Sequence, residues 1–379
     1  MRKWITAAFL VPVAVGIYLL AGSNIVPAAR HHDFLNLYSA ATFANEGRLD
    51  DLYDPEALRQ FQQTIAPENP SVIPFARPHF YAVALIPLSW LPYDTAFWSW
   101  LALQTVILLA CWAWIAKRFG ADGLVIAAFF FPAATGIPHG QDAAMLLALT
   151  IASFAAHERK ADRLSGLLSG CLLFKFHLVL LLPVAMLAQR RWKMLTGFLA
   201  TTAALAAVEL AIAGPTGIAA YLHFLTRRDI ERLNIGEMNM VNLNSLLLNL
   251  GANSDMLRGI LSLLAAAMVI QICRSTDEWW KALAAASLGA SFLMPHTYQY
   301  DLTWCLLAML GLVFWQTNPV PKIFAGLLLT PVPYLLTLAG APWAGAAALC
   351  VGGLIASLAI HSLAQTRTRH VQPSLSSIA

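Results

Sequence analysis

The stretch HHDFLNLYSAA, residues 31–41, sets Asp33 behind two histidines and three residues ahead of Asn36. A carboxylate in this setting can take a proton from a hydroxyl nucleophile. If a helix starts near residue 33, Asp33 and Asn36 share one face, with Tyr38 following. Asp33 equally suits an N-cap, where its oxygen would accept from first-turn amides, and spacing alone favours that simpler role. His31, His32 and Asp33 are consecutive and do not share a helix face, so metal binding is the weakest of the three readings.

Four further clusters carry polar groups into apolar surroundings, where burying them is expensive. FARPHF (75–80) puts Arg77 and His79 at the start of a short apolar element. A guanidinium beside a helix start suits a phosphate, and an interfacial arginine reaching lipid headgroups is the alternative. PHGQD (138–142) breaks two apolar stretches with His139, Gln141 and Asp142, or forms a simple tight turn. LLFKFHLVLLL (172–182) carries Lys175 and His177. A lysine there needs an anion unless it snorkels to the interface. PHTYQYDL (295–302) collects His296, Tyr298, Tyr300 and Asp301 in one short turn. Each motif is weak alone. Together they describe a cavity suited to an anionic lipid headgroup beside a polar acceptor.

The elements that position these groups follow from composition. The chain of 379 residues is 59% hydrophobic and 12% charged, with mean hydropathy +0.63. Soluble domains are about a quarter charged. Long continuous apolar runs from end to end therefore predict an all-α polytopic membrane protein, and the absence of alternation argues against a β-barrel. Net charge is +4, and no basic tract with interleaved aromatics points to nucleic acid. Cys111, Cys171, Cys273, Cys305 and Cys350 lie in or beside apolar segments without CxxC spacing, so they read as packing thiols.

Apolar periods predict helices over 5–22, 94–116, 123–137, 142–157, 194–214, 255–273, 281–294, 301–316, 321–339 and 341–364. The first, after Met-Arg-Lys, reads as an uncleaved anchor. Pieces 79–92, 164–175 and 177–188 are shorter than the roughly 20 residues a span needs. They predict short or re-entrant helices, for a bundle of about 10–13 transmembrane or re-entrant helices. Fifteen of the 24 Lys and Arg residues fall at alternate boundaries: Arg2/Lys3, Lys117/Arg118, Arg159/Lys160/Arg163, Arg190/Arg191/Lys193, Arg274/Lys281, Lys322 and Arg367/Arg369. The positive-inside rule makes that side cytoplasmic, with both termini and a tail 365–379 there. Extracytoplasmic loops then cover 23–78 and 215–254, each with amphipathic interfacial helices. One integral membrane domain, 1–379, is expected. The rule leaves the parity of 79–92 open.

Asp33-Phe34, Tyr38-Ser39-Ala40-Ala41, Gly47 and Leu52-Tyr53-Asp54-Pro55 open an ordered series. PLSWLP (87–92), Gly140-Gln141, the Lys175 segment and Tyr300-Asp301-Leu302 continue it. The series resembles glycosyltransferase family 87, the polyprenyl-phosphate-mannose-type mannosyltransferases of the GT-C fold, over roughly residues 30–310. Arg77-Pro78-His79 stands where the family has Tyr-Pro-Pro, Phe176 where a proline usually follows the lysine, and Asp142 in a Gly-Gln-x-Asn setting.

The resemblance implies an inverting, metal-independent transferase with no cofactor. Its donor is a polyprenyl-phosphate sugar, and its acceptor a glycolipid or glycan at the outer face of the cytoplasmic membrane. Membrane lipids are the other partners; oligomeric state is not readable. The family's early-loop catalytic Asp falls on Asp33. Lys175, Arg77 and His296 are expected at the donor phosphate. His32, Asn36, Tyr38, His79, Gln141, His177, Tyr300 and Asp301 are expected around the substrates. The rival class is a lipid transporter or flippase, which also explains broken helices and buried polar groups. A flippase does not account for polar clusters gathered at one face.

Overall fold

The computed structural model describes residues 3–8, 10–16, 31, 33–69, 72–226, 237–252 and 254–371, and side chains to residue 364. Among these the chain is all-helical. Four helices are long and apolar enough to cross a membrane: Tyr93–Ala128, Trp192–Thr226, Asp255–Arg274 and Trp343–Ala364. Two further pairs of helices, Asp162–Val179 with Leu181–Ala188 and Pro319–Leu329 with Val332–Ala339, are bent by 112° and 57°, and the number is at most six if each pair is one span. Shorter apolar helices, including Ala143–Glu158 and Gln299–Trp315, fill the interior. This is a multi-pass helical membrane protein. The 10–13 expected helices resolve into this mixture of long spans and short buried pieces. Residues 17–22 of the first expected helix lie outside the described residues.

The basic boundaries meet at one end. Lys3 pairs with Asp122 at 2.5 Å, and Arg118 with Glu158 at 2.9 Å. The Arg118 guanidinium also lies 4.6 Å from the Trp315 ring centroid. Trp315 packs edge-on to Trp280, and Arg191 donates to the Asp277 carbonyl at 2.6 Å. Helix Ala143–Glu158 then runs from Asp142 to this end, a rise of about 24 Å.

The lysine segment goes in and returns. It leaves the basic end at Asp162, which bonds His157 at 2.7 Å, and reaches Lys175. It bends by 112° between Val179 and Leu181 and returns to Arg191. Its outward leg, Asp162–Gly170, packs on Trp192–Thr226. The sequence reason is GLLSG: a Cβ on Gly166 would overlap the Met194 carbonyl oxygen, and one on Gly197 the Arg163 carbonyl. Gly170 would press one against Thr201 Cβ at 2.6 Å. Small residues at this spacing let two backbones touch. Gly166→Ala is expected to lower stability by about 1–3 kcal/mol through overpacking. Thermal unfolding in detergent measures this; an unchanged midpoint would remove the close crossing as the reason for GLLSG.

Segment 79–92 holds no helix long enough to cross a membrane. It forms two short helices, His79–Ala84 and Ile86–Ser89. The Tyr38 hydroxyl donates to the Leu91 carbonyl at 2.9 Å, and Tyr93 packs on Phe34 and Tyr38. Both short helices also pack on the Asp33 helix.

One expectation needs correction. Helix Asp33–Asn45 is not interfacial: Phe34, Leu35, Leu37, Ser39, Ala40, Ala41 and Phe43 are all buried. Its small and apolar residues cover more than one stripe, so the whole helix seats inside the protein. Pro55–Ile65 of the same loop, with Leu58 and Gln62 buried and its charges exposed, is amphipathic as expected. In the second loop, helix continues past a break at Gly214 (φ 62°) to Thr226. Residues 227–236 of that loop lie outside the described residues.

Candidate active site

Four ionic side chains from four separate elements meet in one buried cluster. Arg77 precedes helix His79–Ala84, Asp142 precedes helix Ala143–Glu158, Lys175 ends the outward leg of the hairpin, and Asp301 lies in the Gln299–Cys305 turn. Their exposures are 8%, 0%, 6% and 1%. Buried charges of this kind are tolerated only when paired. Arg77 forks onto both Asp142 oxygens, with the Nη2–Oδ1 arm at 3.2 Å. The Tyr81 hydroxyl donates to Asp142 Oδ2 at 2.8 Å. Lys175 Nζ sits 2.5 Å from Asp301 Oδ1 and 3.5 Å from Asp142 Oδ1. It also donates to Gln141 Oε1 at 3.3 Å. Asp301 Oδ2 accepts from the Tyr298 amide at 2.9 Å.

The surroundings explain how each element holds its place. Tyr81 stacks on Phe174 at 4.8 Å, joining the arginine segment to the lysine segment. Gly140, at φ 73°, turns the chain into Asp142 and would bring a Cβ within 2.6 Å of Phe34 Cβ. That position needs glycine on both counts. Trp100 Nε1 donates to the Gly140 carbonyl at 2.8 Å. The break at 138–142 is thus pressed against the start of the Asp33 helix.

Asp33 itself is half-buried and makes no hydrogen bond or ion pair among the described residues. Its carboxylate caps no first-turn amide. It lies within Coulombic range of Lys175 and His296. Solvent reaches His296, which packs edge-on to Tyr298 at 5.1 Å. Neighbouring protein pushes its imidazole below the ordinary histidine range, against the pull of Asp301. His177 lies within range of Asp301, Lys175 and His296, and its Nε2 is buried and unpartnered among the described residues. Tyr300 places its ring 5.7 Å from Lys175 Nζ.

The remaining expected residues lie apart. Asn36 is half-buried on the Asp33 helix, and Tyr38 is committed to Leu91. His32 is outside the described residues. His79 turns away from Asp142. Its Nδ1 meets Glu209 Oε1 at 2.7 Å, and its ring packs on Tyr53 at 4.9 Å. Among the described residues no group of three or more His, Cys, Asp or Glu side chains is arranged to hold a metal ion.

The sequence model of glycosyltransferase family 87 matches residues 75–297, more than half of the chain. The chain belongs to glycosyltransferase family 87. No curated protein and no solved structure matches it. Within this family 87 glycosyltransferase the matched segment holds Arg77, Asp142, Lys175, Glu209 and His296. Asp33 and Asp301 lie outside it, and folding brings both to the same cluster.

One residue of this glycosyltransferase, Glu209, is not among the sequence candidates. Asp142, a candidate in the PHGQD cluster with a tight turn as the alternative, is the ionic partner of Arg77. Glu209 was passed over, although a lone carboxylate in AALAAVELAIAG is a functional candidate by default. Glu209 accepts from the His79 ring, from the His79 amide at 3.1 Å and from the Phe80 amide at 3.0 Å. On the other side the Tyr53 hydroxyl donates to the Arg77 carbonyl at 2.7 Å. Arg77-Pro78-His79 is therefore clamped at both ends, and Glu209 is a positioning residue for Arg77. Glu209→Ala is expected to lower kcat/KM for the donor by about 10–100-fold, mainly in KM, with partial rescue by Glu209→Gln. An unchanged donor KM would leave Glu209 a purely structural residue.

Proposed function

We propose that this glycosyltransferase moves a sugar, mannose or a related one, from a polyprenyl-phosphate donor to a glycolipid or glycan hydroxyl. Transfer takes place at the outer face of the cytoplasmic membrane, with both termini on the cytoplasmic side. Supporting this is one juxtaposition: an uncommitted carboxylate, Asp33, lies within Coulombic range of a buried cluster holding Lys175 and Arg77. Acid–base chemistry and phosphate stabilisation need that pairing.

In this reading Asp33 takes the acceptor proton as the acceptor oxygen attacks the anomeric carbon. The bond from that carbon to the phosphate oxygen breaks on the opposite face. The sugar inverts through an oxocarbenium-like transition state. Polyprenyl phosphate leaves with added negative charge, which Lys175 and Arg77 stabilise. His296 and Tyr300 face the headgroup. His177 Nε2, buried without a partner, suits a sugar hydroxyl. Asn36 and His32 belong to the acceptor side, and Gln141 and Asp301 orient Lys175. A monophosphate leaving group needs no pyrophosphate clamp, so no metal or other cofactor is required.

The test is purified enzyme with labelled polyprenyl-phosphate mannose and a membrane lipid extract, with and without EDTA. Labelled glycolipid or glycan, formed equally with EDTA, is the expected result. Loss of product on chelation, restored by a divalent ion, overturns metal independence. Lipid movement across liposomes without product overturns the donor reading in favour of a flippase.

A further inference from the structure

The cluster is charge-balanced before any substrate arrives. Arg77 and Lys175 carry two positive charges, and Asp142 and Asp301 two negative ones, all nine-tenths or more buried. Asp33 adds a further negative charge within range. No cation here is free, although the sequence reading expected Lys175 and Arg77 to wait for a phosphate. An anion entering a buried site with no spare positive charge meets like-charge repulsion.

The two carboxylates are not held alike. Asp301 is anchored to the backbone through the Tyr298 amide, within its own turn, as well as to Lys175. Asp142 is held by side chains alone: the Arg77 fork, the Tyr81 hydroxyl and Lys175. It caps no amide of the helix it precedes. Its two oxygens occupy the fork that would grip a phosphate, because carboxylate and phosphate match a guanidinium in the same bidentate way.

We propose that Asp142 is a stand-in for the donor phosphate: the phosphate displaces its carboxylate from Arg77, and the freed carboxylate takes up a proton from solvent. This rests on the polyprenyl-phosphate donor reading above. One singly charged phosphodiester and one proton together leave the charge of the buried cluster unchanged. The groups facing Asp142 agree with that assignment. Arg77 and Lys175 are the cations the phosphate takes over. Tyr81 can donate to a protonated or an ionised partner. Asp33 and Asp301 add only negative charge, which favours the proton. His177 and His296 lie beyond Lys175, within range of both Lys175 and Arg77. Resting ion pairs would also keep the two cations from capturing other anions.

The test uses the full-length protein in detergent and a polyprenyl methyl phosphodiester. This probe cannot transfer a sugar, and its single charge does not titrate near neutral pH. Binding enthalpy is measured in buffers of different ionisation enthalpy. Wild type is expected to take up about one proton per diester bound, with Kd rising up to about tenfold per pH unit. Asp142→Asn is expected to bind with no proton uptake and a flat pH profile. Wild-type binding without proton uptake overturns the exchange and leaves the donor reading standing. Equal uptake by Asp142→Asn overturns the assignment to Asp142. Failure of the folded wild type to bind the diester overturns the donor reading itself. The wild-type titration decides the exchange even if Asp142→Asn fails to fold.

Discussion

Asp33→Asn is expected to cut turnover by about 10²–10⁴-fold, the contribution of a general base, with donor affinity nearly unchanged. The amide keeps the shape of the carboxylate and cannot take the acceptor proton. Asp33 makes no hydrogen bond or ion pair among the described residues, so the substitution breaks no such bond there. A structural loss would appear as a lower unfolding midpoint, and none is expected. Initial rates at saturating donor, read with thermal unfolding in detergent, measure both. Turnover within tenfold of wild type would end the general-base role. The helix-cap role that spacing favoured predicts the reverse pattern, a loss of stability of about 1 kcal/mol with chemistry intact.

Lys175→Met is expected to cost about 3–5 kcal/mol of stability, because it leaves Asp301 buried without its cation. The pair Lys175–Asp301 is at 2.5 Å with both groups nearly fully buried, so little water can screen the orphaned charge. Lys175→Met/Asp301→Asn should regain most of that loss, since asparagine still accepts from the Tyr298 amide. Donor affinity should not return with it. Thermal unfolding and diester binding on the same samples separate the two roles. A single variant as stable as wild type would show the ion pair to be idle. A double variant with wild-type affinity would remove Lys175 from the donor site.

Much of the helical layout was legible because spans and breaks are written in composition. The apolar runs marked the helices, whereas the close crossing at GLLSG appears only in the structure. The expected breaks at 117–122 and beyond 214 fall near Gly120 and Gly214, both at positive φ. The in-and-out lysine segment followed from basic clusters on both flanks and is matched by the return to Arg191. Segment 79–92 could not be placed this way, since it has no basic flank to set its side. Contacts of Leu91 and Tyr93 with the Asp33 helix place it. The interior seat of Asp33–Asn45 was hidden because its alanines and serine look neutral in sequence and become core only when neighbours surround them.

The sequence by itself determined an all-helical membrane protein, its family, and five polar segments that burial makes expensive. Those are local properties: hydropathy, charge at boundaries, and residue order. Only the tertiary structure decided which charges face each other. Asp142 takes Arg77, Asp301 takes Lys175, and His79 leaves the cluster for Glu209, across 65, 126 and 130 residues of chain. No local pattern encodes such pairings, because a buried ion pair depends on where separate helices end in space. The physical reason is desolvation: once packing strips water from a charge, only a partner brought by another element can hold it there.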